Sequence, residues 1–107
     1  MTSTEANSVV AAAITRAHGL HALVSVAVCN SDGRLIAFKR MEGAAGMTDR
    51  TCISKTLAAA ASGPRVPSRG AIPIVRDGVV WGACGVSGAD SGERDEDCAR
   101  AGIAALT

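Results

Sequence analysis

The chain predicts a single α+β domain: an antiparallel sheet covered by helices. Three observations carry this. The length, 107 residues, is that of one domain. Two stretches with helical spacing flank a first pair of apolar β-branched runs, and a third follows a second such pair. Each pair is joined by a tight turn cluster, Asn30-Ser31-Asp32-Gly33 and Asp77-Gly78, which makes hairpins and hence antiparallel pairing. The element order is helix, hairpin, helix, hairpin, helix.

The first helix is expected over Thr4 to His18. Ala6, Val9, Val10, Ala13, Ile14 and Ala17 fall on one face, with Ser3 or Thr4 as cap and Glu5 in the first turn. Arg16 and His18 then precede Gly19, the expected left-handed stop. Ala22 to Cys29 is short, apolar and β-branched, a buried strand, and Arg34 to Arg40 returns from the turn. Met41 to Gly46 is a glycine-containing loop. Thr48 or Asp49 caps a second helix to about Ala61, ended by Ser62-Gly63-Pro64 and followed by a Pro-containing linker over Arg65 to Gly70. Ile72 to Val75 and Val79 to Val86 form the second hairpin. Ser87 to Asp90 turns the chain into a last helix, whose Glu93, Asp95 and Glu96 suit a solvated, dipole-favoured start. Gly102 inside it implies close packing, since glycine there otherwise costs about 1 kcal/mol relative to alanine.

Composition narrows the function. With 11 basic and 10 acidic side chains the net charge is +1, which excludes a polybasic nucleic-acid binder. One Phe, one Trp and no Tyr exclude a base-stacking platform. Much of the 48% hydrophobic content is alanine. A core of small side chains is built by close backbone approach and gains from a further interface, so a homo-oligomer is expected. The four cysteines, Cys29, Cys52, Cys84 and Cys98, show no C-x-x-C spacing and read as free thiols, with a disulfide the lesser alternative that an even count leaves. The first residues carry no basic n-region and no long apolar run, so the expectation is a cytoplasmic protein without a membrane span.

Several stretches then resemble one family. They are Val26-Ala27-Val28 with Gly33, Phe38-Lys39-Arg40-Met41-Glu42-Gly43-Ala44, Lys55, Ile72-Pro73-Ile74, Asp77-Gly78 and Gly82-Ala83-Cys84-Gly85-Val86-Ser87-Gly88. Asp95-Glu96, Ala99-Arg100-Ala101-Gly102 and Ala104-Ala105-Leu106 complete the series. In this order, over nearly the whole chain, they resemble the GlcG/HbpS-like haem-binding proteins, the haem-degrading domain that includes the PduO C-terminal domain. The chain departs from the family pattern at Asn30, Ala71 and Trp81, and in a shortened segment at 62–70. The resemblance implies one domain over 1–107 with a profilin-like sheet of about five strands, helices on both faces, a symmetric homo-oligomer, and haem or a related small anionic ligand.

Candidate residues follow. Haem iron takes His, Cys, Met or Tyr, and the histidines are His18 and His21 at the end of the first helix. Each is either an iron ligand, as the resemblance suggests, or a side chain near helix-end carbonyls. A second constellation is Arg40, Met41, Glu42 and Gly43, the start of the second helix, and Gly70. Arg40 and Lys55 would hold a carboxylate there, and Glu42 or Asp49 would serve as proton-transfer base. On that alternative the protein is a cofactor-independent isomerase or cyclase acting on a small metabolite. Cys52 reads as a buried apolar thiol, and Ser87 as satisfying turn backbone.

Overall fold

A computed structural model describes residues 1–62 and 69–106. Helix α1 (Ser3–Gly19) starts one residue earlier than its periodicity suggests. Thr2, rather than Ser3 or Thr4, is the cap. Its hydroxyl accepts from the Glu5 N–H at 3.0 Å and the Glu5 carboxylate accepts from the Thr2 N–H at 2.8 Å, a reciprocal capping box. The left-handed stop is also displaced: it is His21, at φ 55°, and not Gly19. The Ala22 N–H bonds the Ala17 carbonyl at 2.9 Å and the His21 N–H bonds that of His18 at 3.1 Å, a Schellman closure with a histidine where glycine is usual.

Strands β1 (Ser25–Asn30) and β2 (Leu35–Arg40) form the first hairpin, β3 (Ala71–Arg76) and β4 (Val79–Ser87) the second. Asn30 fixes the first turn, its side-chain oxygen accepting from the Asp32 and Arg34 N–H groups. Asp77 and Gly78, both at positive φ, make the second. The order β2-β1-β4-β3 is antiparallel throughout, because β1 pairs with β4 and welds the hairpins together.

Alternation along the strands divides the core. Val26, Val28, Ile72, Ile74, Cys84 and Val86 face α1 and α3 (Gly92–Ala104), whereas Cys29, Ala71 and Ala83 face α2 (Thr48–Ser62). Helices therefore cover both faces. The α2 layer is thin, as the alanine content requires. A side chain at Gly85 would collide with the Thr56 hydroxyl, so glycine is what lets α2 settle on the sheet. Gly102 acts alike in α3: a Cβ there would lie 2.7 Å from the Val9 carbonyl oxygen and 3.2 Å from the Ala13 Cβ of α1.

The described residues contain four strands, not the five or so expected. Residues 41–46 do not extend the sheet because Arg40 folds them back on themselves. Its guanidinium donates to the carbonyls of Ala44 (2.6 Å), Ala45 (3.3 Å) and Gly46 (3.3 Å). Most of the shortened segment at 62–70 lies outside the described residues. No helix among the described residues is long and apolar enough to cross a membrane.

Candidate functional site

The two histidines, at the end of α1, line different grooves. His18 is exposed in the last turn of α1, and it lines an open groove of about 470 Å³ between α1 and β2. Helical spacing puts Asn7, Val10, Ala11, Ile14, Thr15 and His18 along one wall, and Ala37, Phe38 and Lys39 of β2 form the other. β2 is an edge strand, so the margin where it meets α1 stays open. Lys39 and Ala37, in register with the α1-facing Val26 and Val28, lie on that side. Phe38, in register with Ala27, lies on the α2 face and is exposed because α2 scarcely reaches β2. His21, projecting from its left-handed position, lines a smaller groove of about 360 Å³ with Leu20, Leu23, Gly43, Ala45, Gly88 and Asp90.

The second constellation comes together only in part. Arg40 and Asp49 approach, at 3.9 Å, but the guanidinium also clamps the loop carbonyls. One Asp49 carboxylate oxygen is buried without a hydrogen-bond partner. Met41 is buried, its sulfur 3.3 Å from the Val24 N–H that donates to it, and Glu42 is exposed on the loop. Gly43, at φ 87°, packs against Leu23.

Lys55 and Gly70 lie elsewhere, at the far side of α2. Lys55 is nearly enclosed, 10% exposed, with Nζ 3.5 Å from an equally buried Asp95 carboxylate on α3. The Ala89 N–H donates to the other Asp95 oxygen at 2.9 Å. Gly70, at φ 93°, is the gap through which the pair meets, since a side chain there would strike Lys55 Nζ and come within 2.8 Å of the Asp95 Cβ. The acidic start of α3 is thus not a uniformly solvated face. Asp95 is sealed inside, and its burial raises its pKa from the ordinary 3.8 despite the neighbouring ammonium. Asp97 pairs with Arg16, Glu93 and Glu96 with Arg69, and Asp90 with Arg94.

Two further groups differ from their sequence reading or sharpen it. The Ser87 hydroxyl is buried with no hydrogen-bond partner rather than satisfying the turn. Cys52 is sealed against the sheet, donating to the Gly85 carbonyl at 3.1 Å, and burial pushes its thiol up to about 12. All four cysteines are free and buried. No cluster of three or more His, Cys, Asp or Glu among the described residues is arranged to hold a metal ion. The residues that sequence reasoning missed are Lys39 as a groove wall and Asp95 as the partner of Lys55. Their signal was present in the β2 alternation and the helix spacing, but pairing required knowing which strand is the edge.

Fold and grooves together define a small α+β domain with shallow ligand-sized clefts at its helix–sheet margins and a sealed polar centre. The chain belongs to the HbpS-like haem-degrading protein family, whose model matches residues 1–65 and 57–104. It is similar to a crystal structure of a double mutant of HbpS from Streptomyces reticuli, at 28% identity and TM-score 0.87, over 100% of this chain and 87% of that one. It is similar also to PduOC in a crystal structure of its haem complex, at 25% identity and TM-score 0.88, over 98% and 94% of the two chains. A Klebsiella pneumoniae protein, ORFY, shares the fold at 20% identity and TM-score 0.90, over 99% and 90%. No curated protein matches the chain.

Proposed function

We propose that this protein binds haem, or a closely related small anionic ligand, in the groove between α1 and β2, with His18 as the axial iron ligand. The observation that carries the reading is that groove itself: an exposed imidazole beside the apolar side chains of Val10, Ala11, Ile14 and Ala37. Family membership and the haem complex of a relative support it. The residues suit the group. Imidazole is a common haem ligand, the volume of about 470 Å³ is within the range of ligand sites, and the wall is apolar where a porphyrin face would rest. His21 is the second candidate, but Asp90 in its groove opposes an anionic ligand.

Bound haem supplies the iron chemistry; the chain supplies the ligand nitrogen and an apolar wall. The protein is further proposed to act as a cytoplasmic homo-oligomer, for which the exposed Leu23, Leu35, Met47, Val75 and Val79 offer apolar surface. An isomerase or cyclase using Glu42 or Asp49 is the alternative. It carries less, because Lys55 sits on Asp95 instead of joining Arg40 around a substrate.

The test is titration of the purified apo-protein with haemin, followed at the Soret band, beside His18→Ala and His21→Ala variants. A saturable shift, lost in His18→Ala and kept in His21→Ala, is the expected result. Absence of a saturable shift, or a shift indifferent to both substitutions, overturns the haem reading.

A further inference from the structure

The groove beside His18 is electrostatically one-sided. Among its nine lining residues only Lys39 carries a full charge, and no carboxylate lines it. Lys39 stands on the edge strand, exposed, in register with the buried Val26 of β1, and among the described residues its side chain takes part in no ion pair or hydrogen bond. This separates it from the other basic side chains near the candidate sites. Arg40 is committed to the 44–46 carbonyls, Lys55 to Asp95 and Arg16 to Asp97. An unpaired ammonium in a groove with no other full charge, lined by Val10, Ala11, Ile14 and Ala37 as well as by polar side chains, suits a molecule with an apolar body and a carboxylate at its edge.

We infer that Lys39 is the specificity-determining cation of the groove, pairing with a peripheral carboxylate of the ligand, so that the site selects porphyrins with free propionates over their neutral esters. The inference rests on the haem reading of the same groove and adds to it the edge that is recognised. His18 and Lys39 lie on different walls, one on α1 and one on β2, so a ligand that engaged both would be held at two points across the groove. The ammonium remains in water, so its pairing is that of an exposed ion pair, modest and weakened by salt.

The test compares haemin, haemin dimethyl ester and iron-free protoporphyrin IX on the wild-type protein and on Lys39→Gln, Lys39→Glu and Lys39→Arg. Replacing Lys39 by Gln is expected to weaken haemin and protoporphyrin by about three- to fivefold, the scale of one exposed ion pair, and Lys39→Glu by more. The dimethyl ester should be indifferent to all three, Lys39→Arg should retain the wild-type preference, and added salt should erase it. Thermal melts of the apo-proteins separate misfolding from lost recognition, because a folding defect would weaken diacid and diester alike. Equal wild-type affinity for haemin and its diester, or equal weakening of both in Lys39→Gln, overturns the inference while leaving a His18-dependent Soret shift standing. Failure of the wild-type protein to take up any porphyrin overturns both.

Discussion

Replacing Lys55 by Met isolates the sealed polar centre. In the native protein the Lys55 ammonium lies 3.5 Å from an Asp95 carboxylate, both side chains about nine-tenths buried. Methionine fills the aliphatic volume and leaves Asp95 ionised with one remaining partner, the Ala89 N–H. Removing one member of a buried pair costs about 3–5 kcal/mol, a large share of the roughly 5–15 kcal/mol that stabilises a small domain. The penalty must depend on pH, and its sign follows from Asp95. Burial already raises its folded pKa above 3.8, and Lys55 is a cause that lowers it, so removing Lys55 raises it further. An acid with a raised folded pKa contributes stability that is present below its unfolded pKa and lost as pH rises through the folded value. Lys55→Met should therefore be most damaging near neutral pH and recover relative to wild type as the solution is acidified. The double variant Lys55→Met/Asp95→Asn keeps an acceptor for Ala89 without the stranded charge, and should be more stable than Lys55→Met alone at neutral pH. Urea unfolding followed by circular dichroism between pH 5 and pH 8 measures all three. A Lys55→Met protein within about 1 kcal/mol of wild type at neutral pH, or a penalty that does not shrink in acid, would refute the reasoning.

Other expectations are simpler to read. Gly102→Ala gains about 1 kcal/mol of helix propensity but places a Cβ 2.7 Å from the Val9 carbonyl oxygen. Overpacking of that kind costs about 1–3 kcal/mol, so the net effect on urea unfolding should be destabilising, and a stabilised variant would show that α1 and α3 are not in that contact. The four buried thiols should resist iodoacetamide in the native protein, where burial raises Cys52 to about 12 and Cys98 to about 11, and react together in denaturant. Rapid native labelling of Cys52, read by mass spectrometry, would contradict its placement between α2 and the sheet.

Much of the fold was legible because its signals are local. Alternation and turn chemistry located both hairpins: the Asp77-Gly78 pair that reads as a two-residue turn is the one that adopts positive φ. The alanine-rich second helix reads as a close-packed element, and it lies on Gly85 and Ala71. Local signals misled where two of them competed. Gly19 invites a left-handed stop, yet the Schellman bonds from His21 and Ala22 close the helix two residues later. Ser3 and Thr4 are good caps, but only Thr2 has a glutamate three residues on. The candidate histidines came from the family resemblance, and the chain has only two, His18 and His21.

The sequence by itself therefore determined the α+β class, the order of the elements, the small-residue core and the short set of side chains able to ligate iron. Periodicity, capping and turn preference act within a few residues, and each leaves its mark in the chain. Only the tertiary structure decided that β1 and β4 are central and β2 an edge, that His18 and Lys39 share a groove while His21 faces another, and that Lys55 reaches Asp95 through the gap at Gly70. Those facts depend on pairing and burial between segments tens of residues apart. Free energy from such contacts belongs to the packed whole, and no window of sequence contains it.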